Sequence, residues 1–366
     1  MTEDELRKLL ESGQPLIAYD GFEPSGQIHI AQGLLRAINV NKMIRAGCKF
    51  KMLVADWHAW ANHKMGGDLE KIQTVGEYFI EVWKACGMDL DHVEFVWASD
   101  LVKQPGYWDT VMQIAVKNNL PRIIRTVEIM GRDETETLTA SQIIYPLMQA
   151  TDIFTLNANI TQLGMDQRKV NMLAREVAED LGFPKPIVVS HHMLQGLSPL
   201  ESPGIIREAD DTTPQAPGLL TKAESATDRA IRLKMSKSKP DSSIFMTDSP
   251  TDIERKIAKA WCPEGIVEEN PILEYCKYIV FEKVDDLPAQ AGMTIERPDK
   301  YGGTITYKNY DQLEKDYVAK KLFPLDLKNA LAKYLDKFLQ PVREHFAKNT
   351  EAKKLKELVE SYAVTR

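Results

Sequence analysis

The sequence predicts an α/β protein: a doubly wound parallel sheet with inserted helices, joined to an all-helical C-terminal domain. Three observations predict it. Residues 16–55 read strand, helix, strand; residues 69–97 repeat helix and strand; from Asp252 onward the apolar spacing is mostly helical. Strand, helix and strand in that order make a crossover unit, which belongs to a parallel sheet covered by helices.

Each element has its own signal. Leu16-Ile17-Ala18-Tyr19 is an apolar run closed by Gly21 and Pro24, the pattern of a buried strand entering a turn. Residues 29–46 set Ile30, Leu34, Ile38 and the Val40/Met43/Ile44 cluster at helical spacing, with Gly47 as the stop. Residues 50–55 form the second strand. A helix over 69–86 ends at Gly87, and residues 93–97 give the third strand. Residues 108–118 and 122–130 read as helices separated by Pro121. A further helix opens at Pro146, since proline suits a first turn. Another covers about 166–181, and residues 186–190 are a strand. Together, residues 1–250 make a Rossmann-like domain with a helical insertion at about 100–145. Residues 198–230 carry Pro199, Pro203, Pro214 and Pro217 in a Ser/Thr/Asp-rich stretch, which predicts a flexible loop. Beyond it, Leu327, Leu331, Tyr334, Leu335, Phe338, Val342 and Phe346 share one helical stripe, with Pro341 set to bend it. This gives a helical domain over 255–366.

Composition narrows the function classes. A net charge of -7 excludes a uniformly basic nucleic-acid binder but leaves room for local basic patches. Cys48, Cys86, Cys262 and Cys276 include no pair at CxxC spacing, so neither a disulfide framework nor a zinc site is expected. Glu3, Asp4 and Glu5 make the N-terminus too acidic for a targeting peptide, and no apolar run approaches a membrane span. A cytoplasmic protein is expected.

Three clusters carry chemistry. Tyr19-Asp20-Gly21-Phe22-Glu23-Pro24-Ser25-Gly26-Gln27-Ile28-His29-Ile30-Ala31-Gln32 lies where the first strand gives way to the first helix, the place where open parallel sheets bind nucleotides. On a first helical turn, His29 and Gln32 would face the same phosphates. A capping or packing histidine fits the same position. The second cluster is Lys234-Met235-Ser236-Lys237-Ser238, lysines among small hydroxyl residues suited to closing over a triphosphate. The third is Tyr145, Gln149 and Asp152, spaced by four and three on one helix face, followed by Gln167 and Arg168. Polar groups converging in an apolar wall suit a small-molecule pocket, and a polar stripe facing water has the same spacing.

These motifs, in this order, resemble the class I aminoacyl-tRNA synthetases, and most closely the tyrosyl-tRNA synthetases of archaeal and eukaryotic type. The resemblance runs over nearly the whole chain, including Ala55-Asp56-Trp57-His58-Ala59 and residues 275–328. It implies that Tyr19 and Asp152 bind the phenolic hydroxyl of L-tyrosine, while Tyr145, Gln149 and Gln167 hold its ammonium group. It assigns His29, Gln32, Gly21 and the segment Lys234, Met235, Ser236, Lys237, Ser238 to ATP, with Mg²⁺ and no protein metal site. His29, Gln32, Lys234 and Lys237 would act in catalysis. It further implies an anticodon-binding C-terminal domain in which Tyr301, Phe323 and Asp326 read a base of tRNA(Tyr), with Arg168 at the acceptor end. For Phe323, packing between helices fits equally well. A homodimer built on residues around 105–130 is implied too. The signature departs from the usual His-Ile-Gly-His at Ala31-Gln32. Two rivals remain at this level: a binding module without catalysis, and an adenylating enzyme that uses no tRNA.

Overall fold

Ile17–Phe22 forms β1, Lys49–Val54 β2 and Val93–Trp97 β3. β1 and β2 run parallel from Ile17↔Lys49 to Phe22↔Val54, and β2 pairs β3 from Phe50↔Val93 to Val54↔Trp97. Two shorter strands, β4 (Ile160–Thr161) and β5 (Ile187–Val188), complete a sheet of order β3-β2-β1-β4-β5, all parallel. The order reverses between β1 and β4, which opens a crevice beyond their carboxyl ends. The computed structural model describes residues 3–131, 137–198, 233, 235, 240–284 and 292–362. The predicted loop at 198–230, beyond its first residue, and the Lys234–Ser238 segment, apart from Met235, lie outside the described residues.

Helices cover the sheet as the apolar spacing requires. Packing is close at Gly76 of the helix Leu69–Ala85: a Cβ there would come within 2.7 Å of the Trp97 ring and of Val54 Cγ1. The helix therefore lies directly on β2 and β3, and Trp83 stacks on Phe95 at 5.8 Å between ring centroids.

The structure moves several expected boundaries. The helix expected over 29–46 begins at Leu34 and runs to Arg45. Ile28, His29 and Ile30 are all buried, and no helix forms before Leu34. His29 pairs with Phe245 in an isolated antiparallel bridge, and residues 30–33 form a turn. The helix expected to open at Pro146 spans Ala140–Thr155, with Pro146 inside it. Its start is fixed earlier because the Thr139 N–H donates to Gln142 Oε1 at 3.0 Å, half of a capping box. β4 had no counterpart in the sequence reading.

The chain divides into two units: Met1–His192 with Phe245–Asp248 and Asp336–Arg366, and Met193–Ile244 with Ser249–Leu335. This differs from a single break near residue 250. The C-terminal residues join the first unit because the helix Thr350–Ser361 packs along Leu69–Ala85. There His345 Nε2 meets Glu81 Oε2 at 2.7 Å, and Phe346 packs on Tyr78.

The second unit is mostly helical. Pro250–Lys259 is capped by the Ser249 hydroxyl, and Pro271–Tyr275 by the Asn270 side chain. It also holds an antiparallel pair, Met293–Ile295 with Ile305–Tyr307, so it is not all-helical. The stripe from Leu327 to Phe346 is buried along the helix Pro324–Lys348, which contains Pro341 and whose residues from Asp336 onward belong to the first unit. Among the described residues, no helix is long and apolar enough to cross a membrane.

Candidate active site

The crevice is organised by β1. Tyr19 and Asp20 are both almost wholly buried, at 1% and 2% exposure. Asp20 Oδ2 pairs with Arg36 Nη1 at 2.6 Å, and Arg36 also donates to the backbone and side-chain oxygens of Gln162, just past β4. Burial pulls the Arg36 guanidinium below its ordinary range, and the Asp20 charge works against that pull. His191 Nε2 lies 3.6 Å from Asp20 Oδ2. The buried pair thus ties β1 to the helix Leu34–Arg45 and to the chain after β4, at the point where the strand order reverses. A Cβ at Gly21 would stand 3.1 Å from Leu53 Cβ, and the Gly21 N–H donates to Asp20 Oδ1 at 2.8 Å.

The face carrying Tyr145, Gln149 and Asp152 is turned inward. Their exposures are 5%, 8% and 0%, so this is not a stripe facing water. The Tyr107 hydroxyl donates to Asp152 Oδ1 at 2.7 Å. His58 Nε2 stands 2.9 Å from Asp152 Oδ2, an ion pair when the imidazole is protonated. Burial disfavours the imidazolium, yet Asp152, Glu23 and Asp56 outweigh it and raise the His58 pKa. The His58 ring meets Tyr145 edge to face at 4.9 Å.

Gln149 links the rest of the pocket. Its side chain hydrogen-bonds the Tyr19 hydroxyl, and its Nε2 donates to Gln167 Oε1 at 3.0 Å. Gln167 Nε2 in turn donates to the Ile129 carbonyl. The Tyr145 hydroxyl bonds Glu23, which also accepts from Asn62 at 3.0 Å and lies 3.7 Å from Lys64. Burial, then neighbouring carboxylates, raises the pKa of Tyr19, Tyr107 and Tyr145, so all three remain neutral phenols. Asp152 Oδ2, Gln149 Oε1 and both His58 ring nitrogens are buried without a hydrogen-bond partner among the described residues. A buried polar atom of this kind costs about 1–3 kcal/mol unless something satisfies it. Donors and acceptors that converge without satisfying one another suit a polar ligand.

The other expected site residues fall as follows. His29 lies in the bridge to Phe245 and Gln32 in the turn before the helix, neither on its first turn; Gln32 Oε1 is buried, and the Gln32 carbonyl accepts from Trp83 Nε1. Arg168 opens the helix Arg168–Val177 and is exposed. Lys234, Ser236, Lys237 and Ser238 lie outside the described residues, whereas Met235 is described and buried. In the second unit, Tyr301 and Phe323 are about half exposed, with ring centroids 6.5 Å apart. Phe323 is therefore not enclosed between helices. Asp326 lies in the first turn of Pro324–Lys348.

Four site residues escaped the sequence reading: Arg36, His58, Tyr107 and Glu23. Only the position of Glu23 and His58 within matched segments pointed toward them, since their partners lie far along the chain.

Comparison with known proteins places this geometry. The family model for class I tRNA synthetases (W and Y) matches residues 11–201 and 205–340. The cytoplasmic tyrosine–tRNA ligase 1 of Arabidopsis thaliana is 49% identical over 367 residues, covering all of this chain and 86% of that protein. The crystal structure of a tyrosyl-tRNA synthetase complexed with L-tyrosine from Pyrococcus horikoshii is 38% identical with a TM-score of 0.84, covering 97% of this chain and 94% of that one. A tryptophanyl-tRNA synthetase from Aeropyrum pernix shares the fold alone, at 17% identity and TM-score 0.65, covering 100% of this chain and 86% of that one. The chain belongs to the class I tRNA synthetases of the W and Y family and, within it, to the tyrosine–tRNA ligases of archaeal and eukaryotic type.

Proposed function

We propose that the chain activates L-tyrosine with ATP, forming tyrosyl-adenylate and pyrophosphate, and then transfers tyrosine to the 3′-terminal adenosine of tRNA(Tyr). The observation that carries this reading is the buried polar cluster of β1 and Ala140–Thr155, where Asp152 and the Tyr19 phenol lie close enough to act on each other and Asp152 Oδ2 has no hydrogen-bond partner among the described residues. A substrate phenol donates to Asp152 and accepts from Tyr19. An indole N–H has no lone pair to accept, and phenylalanine leaves both groups unsatisfied at a cost. Tyr145, Gln149 and Gln167 hold the substrate ammonium, with Glu23 behind Tyr145 adding a negative charge.

In the first step, the tyrosine carboxylate attacks the α-phosphorus of ATP and the bond to pyrophosphate breaks. In the second, a hydroxyl of the terminal ribose attacks the adenylate carbonyl and AMP leaves. His29 and Gln32 bind phosphate, the Gly21 backbone contacts the nucleotide, and Lys234 and Lys237, with Met235, Ser236 and Ser238, complete the ATP-binding set. Their work is positioning and stabilising charge as pyrophosphate departs. Among the described residues, no three His, Cys, Asp or Glu side chains group to hold a metal ion. Mg²⁺ held through the ATP phosphates needs no such group.

For the tRNA, Arg168 takes the acceptor end, while the exposed rings of Tyr301 and Phe323 stack an anticodon base whose edge Asp326 reads. A homodimer is supported by Trp108, Met112, Val116 and Leu120, exposed apolar residues at four-residue spacing. The cytoplasm is the matching compartment. Transfer of radiolabelled tyrosine to unfractionated tRNA tests the whole reaction. Tyrosine recovered in ester linkage on a tyrosine-acceptor tRNA supports the reading, and adenylate formation without transfer would favour a tRNA-independent adenylating enzyme.

A further inference from the structure

Asp152 is held at both of its oxygens. Tyr107, from the helix Tyr107–Lys117, donates to Oδ1 at 2.7 Å, and its hydroxyl also lies 3.3 Å from the Met148 carbonyl. His58, from Asp56–Ala61, stands 2.9 Å from Oδ2. All three side chains are buried, at 1% exposure or less. A carboxylate buried this deeply is costly to keep charged unless neighbours pair with it. Left alone, it could also rotate about its last bond and present either oxygen.

We propose that His58 and Tyr107 are positioning residues for tyrosine recognition: Tyr107 pins Oδ1 and His58 ion-pairs Oδ2, so the Asp152 carboxylate is held in place and aimed at the substrate hydroxyl. This rests on the reading of Asp152 as the acceptor of that hydroxyl. A carboxylate oxygen carries two lone pairs, so His58 supplies charge at one side of Oδ2 and leaves the other lone pair for the substrate hydroxyl. The His58 ring is itself fixed by its edge-to-face contact with Tyr145. The charges that act on His58 are Asp152 from Ala140–Thr155, Glu23 from the chain after β1, and Asp56 on its own helix. Glu23 is partly offset by Lys64, and Asp56 is engaged by the Ser99 N–H and Gln73 Nε2. Asp152 is thus the one of the three that His58 contacts directly.

The test is the ratio of kcat/KM for tyrosine to that for phenylalanine in ATP–pyrophosphate exchange, for wild type, His58→Leu, His58→Gln and Tyr107→Phe. Phenylalanine lacks the hydroxyl and makes no use of how Asp152 is aimed. The ratio is read within one preparation, so partial unfolding lowers both values and leaves it unmoved. His58→Leu and Tyr107→Phe should each lower the ratio roughly tenfold or more, with KM for ATP unchanged. His58→Gln, which can donate an N–H to Oδ2 but carries no charge, should recover only part of it. Where His58→Leu does not fold, Tyr107→Phe, a change of one atom, carries the test. Either variant at the wild-type ratio overturns the role of its residue. Wild type without tyrosine-dependent exchange overturns the reading beneath the proposal, a result distinct from an unchanged ratio in the variants.

Discussion

Replacing Asp152 with asparagine is the sharpest perturbation of the pocket. The change keeps shape and volume at a fully buried position, so packing is untouched. Tyr107 can still donate to the amide oxygen, and the amide N–H then faces His58, which accepts it as a neutral imidazole. What disappears is the charged acceptor for the substrate hydroxyl. A hydrogen bond to a charged group contributes about 1.5–3 kcal/mol, which corresponds to roughly 10- to 150-fold in kcat/KM. Asp152→Asn should therefore lose that factor for tyrosine in ATP–pyrophosphate exchange while KM for ATP stays within about twofold. Asp152→Ala should behave worse, since it also strands the Tyr107 hydroxyl and adds about 1–3 kcal/mol of instability on urea denaturation. Equal losses toward tyrosine and ATP, or tyrosine kcat/KM unchanged in Asp152→Asn, would refute the reasoning.

Further predictions concern the frame of the site. Arg36→Met leaves Asp20 buried without its guanidinium and should cost about 3–5 kcal/mol of stability by urea denaturation; a loss below about 1 kcal/mol would mean that water or His191 compensates. The His58 pKa is raised in the folded state, so its contribution to stability is full below its unfolded value of about 6.5 and fades as pH rises through the folded value. The melting temperature should fall over that window in wild type, and His58→Gln should flatten the fall. Val116→Glu, at the most exposed apolar position of Tyr107–Lys117, should shift the protein from dimer to monomer in sedimentation; a monomeric wild type would remove the basis for the dimer.

The sequence was most legible where one local signal governed one element. Val93–Trp97 matched its predicted span because a short run of β-branched and aromatic residues marks a strand, and the helix before it stopped at Gly87 as expected. Legibility failed where long-range contacts decided. β4 is two residues long, too short for any periodicity, and exists because Ile160 and Thr161 find partners on β1 and β5. Ile30 reads as helical until the bridge from His29 to Phe245 is known. Pro146 pointed to a helix start, but Thr139 and Gln142 had already set one. In the site, the helix face of Tyr145, Gln149 and Asp152 was visible from spacing, though its burial was not. His58 and Tyr107 were invisible as partners of Asp152, since they stand far from it in sequence.

The central claim is that this pocket selects tyrosine through its hydroxyl. Amino-acid-dependent ATP–pyrophosphate exchange, with tyrosine, tryptophan and phenylalanine compared on one preparation, tests it without any tRNA. The account predicts exchange with tyrosine and little with the other two. Exchange driven equally by phenylalanine or tryptophan would contradict it.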